Sequence, residues 1–172
     1  MYHASPLLIL LLVATPLAFG AAAAVGLTDR WLEQTTKHNT FSLQTHWRAG
    51  DVNDAIAAWR GHPKALHRVR IAFGWDGLLI AGYAASLSSL ILLGAARSPT
   101  LISEIGRPLA ALPLLAAAAD LLEDVCQLRM IAIGAQDRSA FVTHLATLAK
   151  WLFFGSSLLA AAAAAATLTG LW

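Results

Sequence analysis

Asp120, Glu123, Asp124 and Gln127 follow one another at intervals of i, i+3, i+4 and i+7 inside an otherwise apolar stretch. On a helix this spacing sets all four on one stripe, continued by Pro113, Ala116 and Ala117. A second apolar stretch contributes Asp76, with Tyr83 seven residues later on the same face, and a third contributes Lys150. Four carboxyl groups against one ammonium cannot all stay charged in apolar surroundings without protons, water or a metal ion. Two kinds of chemistry follow. One is a cavity that holds a ligand or cation, or relays a proton. The other is a hydrogen-bonded network that sets helix register where little hydrophobic force acts between helices.

The elements that carry these residues are membrane spans. Of 172 residues, 58% are hydrophobic and 13% charged, about half the charge of a soluble domain. The mean hydropathy is +0.62. A helix needs about 20 apolar residues to cross a bilayer, and stretches 7–27, 71–96, 108–134 and 141–172 qualify. The expectation is an all-α, membrane-embedded bundle of four transmembrane helices forming a single domain over 1–172. The first stretch has no Lys or Arg before Leu7 and is too long for a signal-peptide core, so it reads as a retained span, kinked at Pro16. Pro108 suits the first turn of the third.

Charge sets the orientation. The 28–70 loop carries Arg30, Lys37, Arg48, Arg60, Lys64, Arg68 and Arg70, and the 135–140 turn adds Arg138. Only Arg97 and Arg107 flank the spans on the other side. By the positive-inside rule the long loop is cytoplasmic and both termini are periplasmic, in a multi-pass protein of the bacterial inner membrane. Within that loop Asp51 or Asn53 can cap a short helix, about 51–60, with Val52, Ile56 and Trp59 on one face. Such a helix fits either the headgroup plane or a cap packed on the bundle end.

Depth follows from the helical rise. Asp124 lies roughly 15 Å and Lys150 roughly 14 Å above the loop-side ends of their helices, so Asp120 or Asp124 can pair with Lys150. Asp76 is shallower, roughly 8 Å in. Arg129 points nearly opposite Asp120 and can snorkel to the interface.

Other chemistries find less support. Cys126 is the only cysteine and excludes an intrachain disulfide or a cysteine zinc site. No phosphate-binding loop, nucleophile elbow or H-E-x-x-H occurs, and Ser86, Ser88 and Ser89 read as packing hydroxyls. His67 and His144 are weak haem ligands, because only His144 lies well inside a span. The basic residues follow topology and do not form a nucleic-acid face.

Three segments carry a resemblance: F-x-L…I-A-A-W over 41–59, F-G-W-D-G-L-L-I-A-G-Y over 73–83, and A-A-D-L-L-E-D over 118–124, with Lys150-Trp151 beyond. The chain resembles small uncharacterised bacterial four-helix inner-membrane proteins, which carry D-x-x-F-I-x-x-Y in the second span and D-x-x-E-N in the third. Asp124 stands where those proteins have Asn. The resemblance implies the four-span architecture and singles out Asp76, Tyr83, Asp120, Glu123, Asp124 and Lys150, without naming a substrate.

The expected function is a non-catalytic membrane binding or accessory protein with no cofactor. Its partners are the lipid bilayer and either other membrane proteins or further copies of itself. One alternative is a small proton- or cation-coupled transporter or membrane enzyme using the same carboxylates. A second is a haem- or quinone-binding subunit of an electron-transfer complex.

Overall fold

The computed structural model describes residues 5–97 and 101–169. The last residues of the expected fourth span, 170–172, lie outside the described residues. Among those described there are seven helices and no strand: α1 (Pro6–Thr36), α2 (Phe41–Thr45), α3 (Ala49–Arg60), α4 (Ala65–Arg97), α5 (Leu101–Leu109), α6 (Leu112–Ile133) and α7 (Asp137–Leu168). Three of them, α1, α4 and α7, are long and apolar enough to cross a membrane.

Helix α4 is central. It packs against α1, α5, α6 and α7, while α6 pairs with α7. Small residues permit the close approaches. A Cβ on Gly82 would come within 2.8 Å of Ala18 Cβ on α1, and one on Gly94 within 2.5 Å of Ala164 Cβ on α7. Such gaps let backbones meet where hydrocarbon solvent gives apolar side chains no reason to cluster. Helices α1 and α7 flank α4 without packing along each other.

Several boundaries differ from the sequence expectation. Helix α1 runs unbroken through Pro16 and on to Thr36, ending where Lys37 adopts a left-handed φ of 65°. Its polar last turns are helical because they dock on the loop elements, with Leu32 fully buried there. The third stretch is divided: Pro108 belongs to α5, and α6 starts at Leu112 with Pro113 in its first turn. Either proline suits a first turn, having no N–H to leave unpaired, so local chemistry did not choose between them. Gly134 ends α6 with a φ of 90°, a conformation glycine adopts without a Cβ penalty.

Helix α3 is capped from a distance. Its first residue is Ala49, whose N–H is accepted by Asp137 Oδ1 at the start of α7, 3.0 Å away. Neither Asp51 nor Asn53 serves as the cap. Asn53 instead grips the α6–α7 turn, accepting from Ala135 N–H at 2.8 Å and donating to Ala135 O at 3.1 Å. Val52, Ile56 and Trp59 are fully buried with Leu32, Leu43, Val69 and Met130. The apolar face of α3 is therefore spent on the bundle end.

Candidate functional site

Lys150 stands on α7, and Asp120 and Glu123 stand on α6. The Lys150 Nζ lies 2.9 Å from Asp120 Oδ1 and 2.9 Å from Glu123 Oε2. All three side chains are buried. Charges removed from water persist only where their remaining lone pairs are also met, because an unmatched buried charge costs several kcal/mol. Glu123 meets that condition. The Thr147 hydroxyl donates to Oε2 at 2.9 Å, and Gln127 Nε2 donates to Oε1 at 2.7 Å. From α4, the Tyr83 hydroxyl donates to Asp120 Oδ2 at 3.2 Å.

Asp124 is different. Its Oδ1 is buried without a hydrogen-bond partner, as is Gln127 Oε1. One carboxylate oxygen each from Asp76, Asp120 and Asp124 lie within 4.8 Å of one another. Three carboxyl groups converging at this spacing, beside an ammonium already divided between Asp120 and Glu123, form an acidic focus that needs protons or a further positive charge. Oxygen donors so arranged suit a hard cation or an ammonium group.

The focus borders a cavity of about 250 Å³. Asp76 and Tyr83 of α4, Asp120 of α6 and Lys150 of α7 line one side of it. Val25 and Asp29 of α1 with Phe41 and Gln44 of α2 line the other. Helix α2 is tied down at its entry: Thr40 donates its backbone N–H to Asp29 Oδ1 at 3.0 Å, and its hydroxyl lies 2.7 Å from the same oxygen.

The polar-cluster residues singled out from sequence gather around this one region. Asp76, Tyr83, Asp120 and Lys150 border the cavity, whereas Glu123, Asp124 and Gln127 lie buried on the same α6 stripe. The two histidines do not join them. His144 is engaged with the Gln44 carbonyl, Nδ1 to O 3.2 Å, and His67 is exposed. Ser86 and Ser88 bond the carbonyls of Gly82 and Ala110, as packing hydroxyls do.

Asp29, Thr40, Gln44, Thr147, Trp151 and Phe154 also belong to the site, and sequence reasoning passed over them. Thr147 was findable, three residues before Lys150 on the same helical face. Asp29 was not, since it lies beyond the apolar run of α1. No family model matches the chain, and neither the curated proteins nor the solved structures include a significant match.

Proposed function

We propose that the chain is a non-catalytic, four-span binding protein of the bacterial inner membrane whose intramembrane carboxylates take up a positively charged group. The observation that carries this reading is the convergence of Asp76, Asp120 and Asp124 within 4.8 Å beside a 250 Å³ cavity. A network serving only to set register would be expected to close on itself, as Glu123 does, and Asp124 Oδ1 does not.

The fourth crossing is α6. Its 22 residues rise roughly 33 Å, enough for a hydrocarbon core. Its acids face inward, and Leu114, Leu121, Leu122 and Val125 are exposed on its outer surface. The basic 28–70 loop faces the cytoplasm, and both termini face the periplasm. Helix α3 lies at the cytoplasmic interface, its apolar face on the bundle and Arg60 held to the Ile131 carbonyl at 2.7 Å. The motif likeness supports the same residue set, with Asp124 as the charge this chain adds.

The test is cation binding by protein purified in a neutral sugar detergent. Calcium, magnesium and tetramethylammonium are titrated separately, with the unfolding midpoint as readout. At least one should raise the midpoint, and Asp76→Asn or Asp124→Asn should abolish the rise. No response to any of them, with Asp124→Asn several kcal/mol less stable than the parent, would reduce the cluster to a helix-register network.

A further inference from the structure

A second cavity, of about 380 Å³, lies on the outer face of the α6–α7 pair, between the loop-side end of α6 and the start of α7. Arg129 of α6, Arg138 of α7 and Gln136 in the turn supply its polar walls, and Cys126, Ile133 and Val142 supply apolar ones. Arg129 is nine residues from Asp120 and so half a turn out of phase with it, facing away from the bundle interior. It stands roughly 7 Å from the end of α6, and Arg138 is the second residue of α7. With α6 crossing the bilayer, both guanidinium groups reach the loop-side headgroups.

No carboxylate lines this cavity. Asp137, next to Arg138 in the chain, borders a different one with Trp47 and Phe141, and its Oδ1 accepts from the Ala49 N–H at 3.0 Å. Among the described residues ion pairs are confined to Lys150. Two cations therefore share a recess to which the protein brings no counter-charge. Guanidinium groups present forked N–H donors that match the oxygens of a phosphate. The positive end of the α7 dipole adds to the attraction. Deeper in the membrane the surface turns apolar and open. Leu122 and Val125 lie on the Arg129 face of α6 and Leu145 and Leu152 on the Arg138 face of α7, each about half exposed or more.

We propose that this recess holds the phosphate of an anionic phospholipid from the loop-side leaflet, gripped by Arg129 and Arg138, with its acyl chains along the outer faces of α6 and α7. Basic pockets between spans bind anionic head groups for the same reason. A zwitterionic lipid fits less well, since its ammonium would meet two like charges and no carboxylate. The site is separate from the acidic cluster and independent of cation binding. It rests only on α6 crossing the bilayer, as proposed above.

Protein in dodecyl maltoside is titrated with dioleoyl phosphatidylglycerol and, separately, with dioleoyl phosphatidylcholine, and native mass spectrometry counts the adducts. The parent should bind the anionic lipid about tenfold more tightly. Arg129→Gln with Arg138→Gln should erase that preference. Lys64→Gln with Arg70→Gln removes the same charge from exposed positions outside the recess and should keep it. Arg138→Gln alone, which should reduce the preference, replaces the first pair if that pair lowers the unfolding midpoint. Equal binding of the two lipids by the parent, or an equal loss in both double variants, overturns the site. Displacement of the anionic lipid by inorganic phosphate at matching concentration overturns the lipid in favour of a free anion. Labelling of Arg138→Cys together with Glu104→Cys by an impermeant maleimide on intact cells removes the α6 crossing and the lipid site with it. Absent lipid preference with Glu104→Cys alone labelled removes the lipid site only.

Discussion

The Lys150 ammonium lies 2.9 Å from Glu123 Oε2, and Glu123 is wholly excluded from solvent. This ion pair joins α7 to α6 at the centre of the bundle. Together with Lys150, Thr147 and Gln127 give both Glu123 oxygens a partner. Neighbouring acids are thereby placed differently: Glu123 ties α6 to α7, while Asp76 lines the cavity and Asp124 lies buried beside it.

Lys150→Met should destabilise the protein by about 3–5 kcal/mol, since it strands two buried carboxylates without a counter-charge. Pairing it with Glu123→Gln should recover part of that loss. Urea or thermal unfolding of the two single variants and the double variant in detergent measures the coupling. Additive losses would mean that the pair contributes nothing as a pair.

Asp124→Asn should behave in the opposite manner. It removes one acidic group beside Asp76 and Asp120 and breaks no hydrogen bond at Oδ1. Stability should hold or rise by about 1 kcal/mol while cation binding is lost. A loss of several kcal/mol on unfolding would show that the carboxylate is structural.

Two glycines should respond differently to alanine. At Gly94 the new Cβ would meet Ala164 Cβ at 2.5 Å, so Gly94→Ala should cost about 1–3 kcal/mol by forcing α4 from α7. At Gly155 nothing lies within 4 Å, so Gly155→Ala should stabilise by about 0.5–1 kcal/mol through helix propensity. Unfolding midpoints of the two variants check the contrast.

Asn53→Ala would leave both Ala135 backbone groups without their side-chain partner. The expected cost is about 1–3 kcal/mol, with faster amide exchange confined to the α6–α7 turn and α3. Hydrogen-exchange mass spectrometry resolves whether the effect is local.

Topology is open to cysteine labelling after Cys126→Ala. An impermeant maleimide on intact cells should reach Glu104→Cys and spare both Asp51→Cys and Arg138→Cys. Labelling of Arg138→Cys together with Glu104→Cys would mean that α6 does not cross.

Local spacing was enough to foresee the helical class, the inward stripe at Asp120, Glu123, Asp124 and Gln127, and a pairing of Lys150 with Asp120 or Asp124, of which Asp120 is the one formed, with Glu123 as an unforeseen second partner. A stripe needs only the helical period, and the pairing needs only the rise per residue and a short turn between neighbours. The α3 cap was misread for the complementary reason. Asp51 and Asn53 are good caps by residue type, but the acceptor comes from Asp137, which is 88 positions from Ala49.

By itself, then, the sequence determined that apolar helices must shelter these acids, since neither lipid nor an unpaired interior accepts them. Tertiary structure alone decided which acids are satisfied. The contacts of Gly82 with Ala18 and Gly94 with Ala164 set the separations of α4 from α1 and α7, and the packing of α4 on α6 brings Tyr83 to Asp120. Such distances arise from packing between segments far apart in the chain, and no local period encodes them.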